Sequence, residues 1–190
     1  MVQHASNPRW LQPLTLVVLA LLGLSAGAAF AGYLGSGSFP SRFLSWRFYG
    51  TTSFNGSYTS PVAASMSRWT STTDLSFSQT GSSNWDIAQY VDTFGSTGWA
   101  GLAYICATNG ACSNQSAYNG TYDYCIAYEN RTYQDGYSYT RRQAVAGHEA
   151  GHCVSLAHNN NTSSIMYTFI SSTGVTNPNS GDRRDVNAKY

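Results

Sequence analysis

The stretch His148-Glu149-Ala150-Gly151-His152-Cys153-Val154-Ser155-Leu156-Ala157-His158 decides the reading of this chain. It sets three histidines at offsets of four and six, with a glutamate directly after the first. On a helix His148 and His152 lie about 40° apart around the axis and one turn apart along it, so both imidazoles reach one metal ion. Glu149 falls about 100° from His148 and about 60° from His152, on the flank of that face. A carboxylate there serves a metal-bound water as general base without becoming a ligand. Continued helix would carry His158 about 240° around from His152, so the helix must break soon after His152 for a third imidazole to arrive. Three imidazoles leave one tetrahedral position of zinc for water, which distinguishes a catalytic site from a closed structural one.

The only other histidine, His4, lies near the N-terminus. A mature domain without it has no imidazole to spare for a Ser-His or Cys-His nucleophile. Glu149 is one of two glutamates in the chain. On the same helix Ala146, Ala150, Cys153, Val154 and Ala157 project away from the two histidines, a small-residue stripe suited to lying close on a sheet. Cys153 is on that packing side, about 120° from the ligand face, and is not expected to bind the metal. Thr140 or a neighbour is the candidate N-cap.

At these residues the chain resembles the metzincin clan of zinc endopeptidases, whose signature H-E-x-x-H-x-x-G-x-x-H is followed by a methionine turn. Ser164-Ile165-Met166-Tyr167, eight residues past His158, is similar to that turn. The resemblance implies that Met166 forms an apolar floor beneath the metal. Tyr167 directly after it is closer to the matrixin branch than to astacins or serralysins. Trp69, Asp86-Ile87 and the segment from Asp185 to Tyr190 extend the likeness. Two positions depart from it. Ser155 replaces the signature glycine, at an expected cost on the order of 1 kcal/mol in a positive-φ turn. Thr168-Phe169-Ile170 stands where matrixins carry proline and then tyrosine, so their substrate preference does not transfer.

The fold implied is α+β, an α/β-type sandwich: a twisted, mostly parallel five-stranded sheet, an active-site helix, the methionine turn and a C-terminal helix. The pattern predicts strands over Ser45–Tyr49, Leu75–Gln79, Trp85–Val91 and Gly101–Cys106, and an edge strand over Tyr122–Tyr128. Helices are predicted over Ser60–Thr70, entered through Pro61, from about Thr140, and over Gly181–Tyr190.

Arg9 precedes an apolar run from Leu14 to Leu24 and small residues ending Ala29-Phe30-Ala31, the pattern of a signal peptide cleaved before Gly32. The competing reading is a retained anchor, since Leu14 to Leu34 is uncharged and about long enough to span a bilayer. Residues 32–190 then form one catalytic domain, expected to be monomeric and secreted. Charged residues make up only 10% of the chain, and ten basic side chains balance nine acidic ones. That balance predicts no nucleic-acid partner and no stable membrane partner beyond a retained N-terminus.

The four cysteines, Cys106, Cys112, Cys125 and Cys153, allow three pairings. The favoured one joins Cys106 with Cys112 and Cys125 with Cys153, which ties a strand to the sheet side of the metal helix. Zinc is the expected cofactor, with Asp86, Asp92, Asp123 and Asp135 as candidate calcium ligands. The function expected is exported zinc-dependent hydrolysis of protein or peptide substrates. The alternative is a catalytically inactive metzincin-like binding module at the cell surface. The 14 tyrosines and 5 tryptophans also admit an aromatic, carbohydrate-binding surface, against the commoner fate of aromatics in cores and sheets.

Overall fold

The computed structural model describes residues 32–50 and 56–190. The signal peptide or anchor expected over 1–31 lies outside them. In chain order the elements are β1 (Phe43–Gly50), α1 (Gly56–Thr72), β2 (Ser76–Gln79), β3 (Ile87–Asp92), β4 (Gly101–Ala107) and α2 (Gln115–Asn119). There follow β5 (Tyr122–Asn130), α3 (Arg131–Gln134), α4 (Tyr139–Cys153), α5 (Ile170–Thr173) and α6 (Ser180–Lys189). The strands form one sheet in the order β2-β1-β3-β5-β4, with every pairing parallel except β4 against β5. The expected architecture is present.

Alternation along the strands sorts the side chains. Leu44 and Trp46 of β1, Ile87 and Gln89 of β3, and Cys125, Ala127 and Glu129 of β5 are buried on the face that carries α1 and α4. Of the expected small stripe, Ala146, Ala150, Cys153 and the C-cap Val154 are fully buried, whereas Ala157 lies beyond the end of α4 and is only half buried. Trp69 of α1 locks the two helices together by donating its indole N–H to Gly147 O at 2.9 Å. Cys153 is disulfide-bonded to Cys125, and Cys106 to Cys112, the pairing favoured from the sequence.

Three expectations need correction. The strand from Tyr122 is interior rather than at an edge: β5 lies between β3 and β4, and β4 forms the rim. Helix α1 begins at Gly56, so Pro61 stands inside it rather than at its entrance. Proline has no N–H to give the carbonyl of Ser57 one turn back, and Arg142 Nη1 donates to that carbonyl at 3.1 Å instead. The N-cap of α4 is Ser138, whose hydroxyl accepts from Arg141 N.

Candidate metal centre

Helix α4 ends in a turn that the sequence demanded. After Cys153, Ser155 N–H donates to His152 O at 2.8 Å and Leu156 N–H to Gly151 O at 3.0 Å. These are the paired bonds of a Schellman C-cap, which requires its C′ residue to be left-handed. Ser155 takes that place at φ 77°. The turned chain is clamped by the N-terminal segment, with Leu34 N–H donating to Ser155 O and Ala157 N–H to Gly32 O. His158 is thereby delivered over the helix it has just left.

The three Nε2 atoms form a nearly equilateral triangle: His148 to His158 3.0 Å, His152 to His158 3.0 Å and His148 to His152 3.1 Å. Among the described residues these histidines are the one group of metal-ligating side chains gathered in this way. Each helical imidazole is oriented from behind. His148 Nδ1 lies 2.7 Å from Ile165 O and His152 Nδ1 2.7 Å from Leu156 O. A carbonyl only accepts, so both Nδ1 atoms carry the proton and both Nε2 lone pairs face the centre of the triangle. Burial lowers the pKa of all three, that of His152 to about 4, with His152 also repelling a charge on His148. Neutral imidazoles are the form that binds metal. Three convergent neutral nitrogens at this spacing fit a zinc ion, whose Zn–N bonds are about 2.0–2.1 Å.

Met166 is fully buried beneath the helix, and Gly151, between the two helical ligands, has its bare Cα against the Met166 sulfur. The turn carrying it is anchored to α6, in a way the sequence did not disclose. The buried Asp182 accepts from Ser164 Oγ at 2.6 Å and from Ile165 N at 3.1 Å, and its helix is closed by a capping box with Asn179. Ser164 Oγ in turn accepts from Met166 N. Because Ile165 also offers its carbonyl to His148, Asp182 is linked to a metal-facing imidazole through one residue. Its only sequence signal was its N3 position three residues after Asn179.

Glu149 borders a cavity of about 240 Å³ shared with Gly101, Leu102, Ala103, His152 and His158. Burial raises its pKa to about 8, opposed by a backbone hydrogen bond from Ala103. The other glutamate, Glu129, is wholly buried and accepts from Gln134 Nε2 at 2.5 Å. Desolvation holds its pKa well above the ordinary value, with the charge of Glu149 adding to the shift. The candidate calcium ligands do not assemble. Asp86 accepts from Ser45, Asp135 from Arg131 and Tyr58, and Asp92 from Thr93 N, while Asp123 is exposed at the rim of a hollow that Asp86 also lines, and no three of them converge.

A triad of neutral imidazoles on a helix and its return turn, floored by methionine and set beneath the rim of a mostly parallel sheet, defines a zinc metallopeptidase. The family model of the matrixins matches residues 41–190, and the chain belongs to that family of zinc metalloendopeptidases. No curated protein matches it significantly.

Proposed function

We propose that the protein is an exported endopeptidase in which His148, His152 and His158 hold the zinc and Glu149 is the general base. The observation that carries this reading is the convergence of the three Nε2 atoms beside a cavity into which one buried carboxylate opens. Zinc bound there supplies a water of lowered pKa and Lewis-acid polarisation of a carbonyl. Glu149 takes the proton of the attacking water and returns it to the leaving amine, acting as base and then as acid. Beyond its C-terminal end, where Cys106 bridges Cys112, the edge of β4 away from β5 pairs with no strand among the described residues, so it can pair with an extended substrate along the cleft.

Export rests on the N-terminal pattern and is supported by two closed disulfides, which persist in oxidising compartments. Among the described residues no helix is long and apolar enough to cross a membrane. Gly32 N lies 3.3 Å from Asp185 Oδ2, so cleavage before Gly32 would leave a new ammonium beside a carboxylate. We read the mature chain as a monomer acting on protein or peptide substrates.

Glu149→Gln tests the assignment, because the amide preserves shape but cannot accept a proton. The variant is expected to keep one zinc per chain and to lose about 10²-fold or more of peptide hydrolysis. Equal activity in the variant, or a wild type with no chelator-sensitive cleavage of an unfolded protein, would return the chain to the binding-module reading.

A further inference from the structure

A second and larger hollow, of about 770 Å³, lies on the other side of the sheet from the histidines. Its floor follows from strand alternation. Residues Arg47 and Tyr49 of β1, Ala88 of β3, and Tyr124 and Ile126 of β5 all point away from α1 and α4 and line it, and Trp85 walls one end. The aromatics are ordered among themselves. Trp85 meets Tyr124 edge to face at 5.7 Å, and Tyr49 continues into Tyr90 at 5.2 Å and then Tyr128 at 5.5 Å. Tyr49 is 50% exposed, and Trp85 and Tyr124 are only half buried. The abundant aromatics are thus divided between the core and an open sheet face.

The polar groups at the rim are held ready. Arg47 is fixed by Nη1 donating to Ser82 O at 3.0 Å, with its guanidinium over the Tyr49 ring at 5.4 Å. Asp86 is held through one oxygen by Ser45, and Asn84 and Asp123 present exposed side chains to the groove. Together these features exclude most occupants. One arginine facing two aspartates does not attract a polyanion. β1, β3 and β5 are each paired on both sides, so the floor offers no strand edge to an extended peptide. What fits flat aromatic faces rimmed by a guanidinium, an amide and carboxylates, with little net charge, is a ligand of flat C–H faces rimmed by hydroxyls.

We infer that this groove binds an uncharged polysaccharide, with sugar rings stacked on Trp85, Tyr124 and Tyr49 and hydroxyls hydrogen-bonded by Arg47, Asn84 and Asp123. Such binding holds the protein to an extracellular glycan while the cleft on the far side of the sheet stays open. It is independent of the metal centre.

The test is co-sedimentation of the processed protein, carrying Glu149→Gln to prevent self-cleavage, with insoluble cellulose, chitin and a β-1,3-glucan. At least one should retain it. Trp85→Ala and Tyr124→Ala are each expected to weaken retention about tenfold, a loss of about 1.4 kcal/mol. Tyr49→Ala, at a half-exposed position outside the core, should weaken it in the same direction. Cleavage of a short soluble peptide by these variants with Glu149 restored should match wild type, which establishes that they fold. Retention by none of the three polysaccharides overturns the inference, as do unchanged retention in all three aromatic variants and stronger retention on heparin than on every neutral polymer.

Discussion

Gly101 is the position at which packing and catalysis can be separated by a single methyl group. It begins β4, opposite Glu129 in the sheet and directly over α4. A Cβ built there would stand 2.5 Å from Glu149 Oε1, 2.7 Å from Glu149 Cγ and 2.7 Å from Val145 Cγ1. Carbon atoms sit comfortably at about 3.5–4.0 Å, so Gly101→Ala demands a displacement on the order of 1 Å. Val145 is 1% exposed and cannot retreat, which leaves the Glu149 side chain or the strand to move. Overpacking of this kind costs about 1–3 kcal/mol of stability. A catalytic group misplaced by 1 Å costs on the order of 10²-fold in rate. We therefore expect Gly101→Ala to lower kcat/KM about 100-fold while zinc content stays at one per chain, because none of the three imidazoles is touched. Steady-state kinetics with metal analysis measures both. The same substitution in a Glu149→Gln background should cost only a few-fold more, since groups acting as a unit are not additive. Activity of Gly101→Ala within roughly threefold of wild type would refute the placement of the base. So would a full loss persisting in the Gln background.

Ser155→Gly relieves a left-handed serine worth about 1–2 kcal/mol but adds about 0.5–1 kcal/mol of chain freedom in the unfolded state. A net gain of about 0.5 kcal/mol is expected in urea unfolding, and a loss would mean that the serine side chain outweighs the strain. Replacing Cys125 and Cys153 together by alanine opens a loop of sequence separation 28, for which the chain-entropy estimate is about 3.5 kcal/mol; unchanged unfolding midpoints would contradict it. Glu129 has a folded-state pKa well above its unfolded value of 4.5, so its stabilising contribution is complete below that pH and is lost as pH rises above it. Glu129→Gln should accordingly flatten the fall of stability with rising pH above 4.5 in the zinc-loaded protein, and an unaltered slope would rule out Glu129 as its source.

The convergence of His148, His152 and His158 and the turn between them were legible because helical periodicity is a local property. Offsets of four and six dictate which imidazoles share a face and where the helix must stop, whatever the rest of the chain does. The stripe of small residues beneath them and the even cysteine count were readable for similar reasons, since burial and oxidation follow from residue type. The order of strands was not. Nothing local distinguishes β5 as interior from β4 as rim, because both are short apolar runs and the difference lies in which one a distant segment pairs with. Asp182 and Glu129 were missed for the same cause. A carboxylate in a polar sequence looks solvated until the fold wraps Ser164 and Ile165 around one and seals the other with Gln134, and only then does the energy of burial give each a role. Composition showed that aromatics were abundant, and tertiary structure alone placed a set of them on the side of the sheet away from α1 and α4, where strand alternation turns Tyr49, Tyr90, Tyr124 and Tyr128 away from the core.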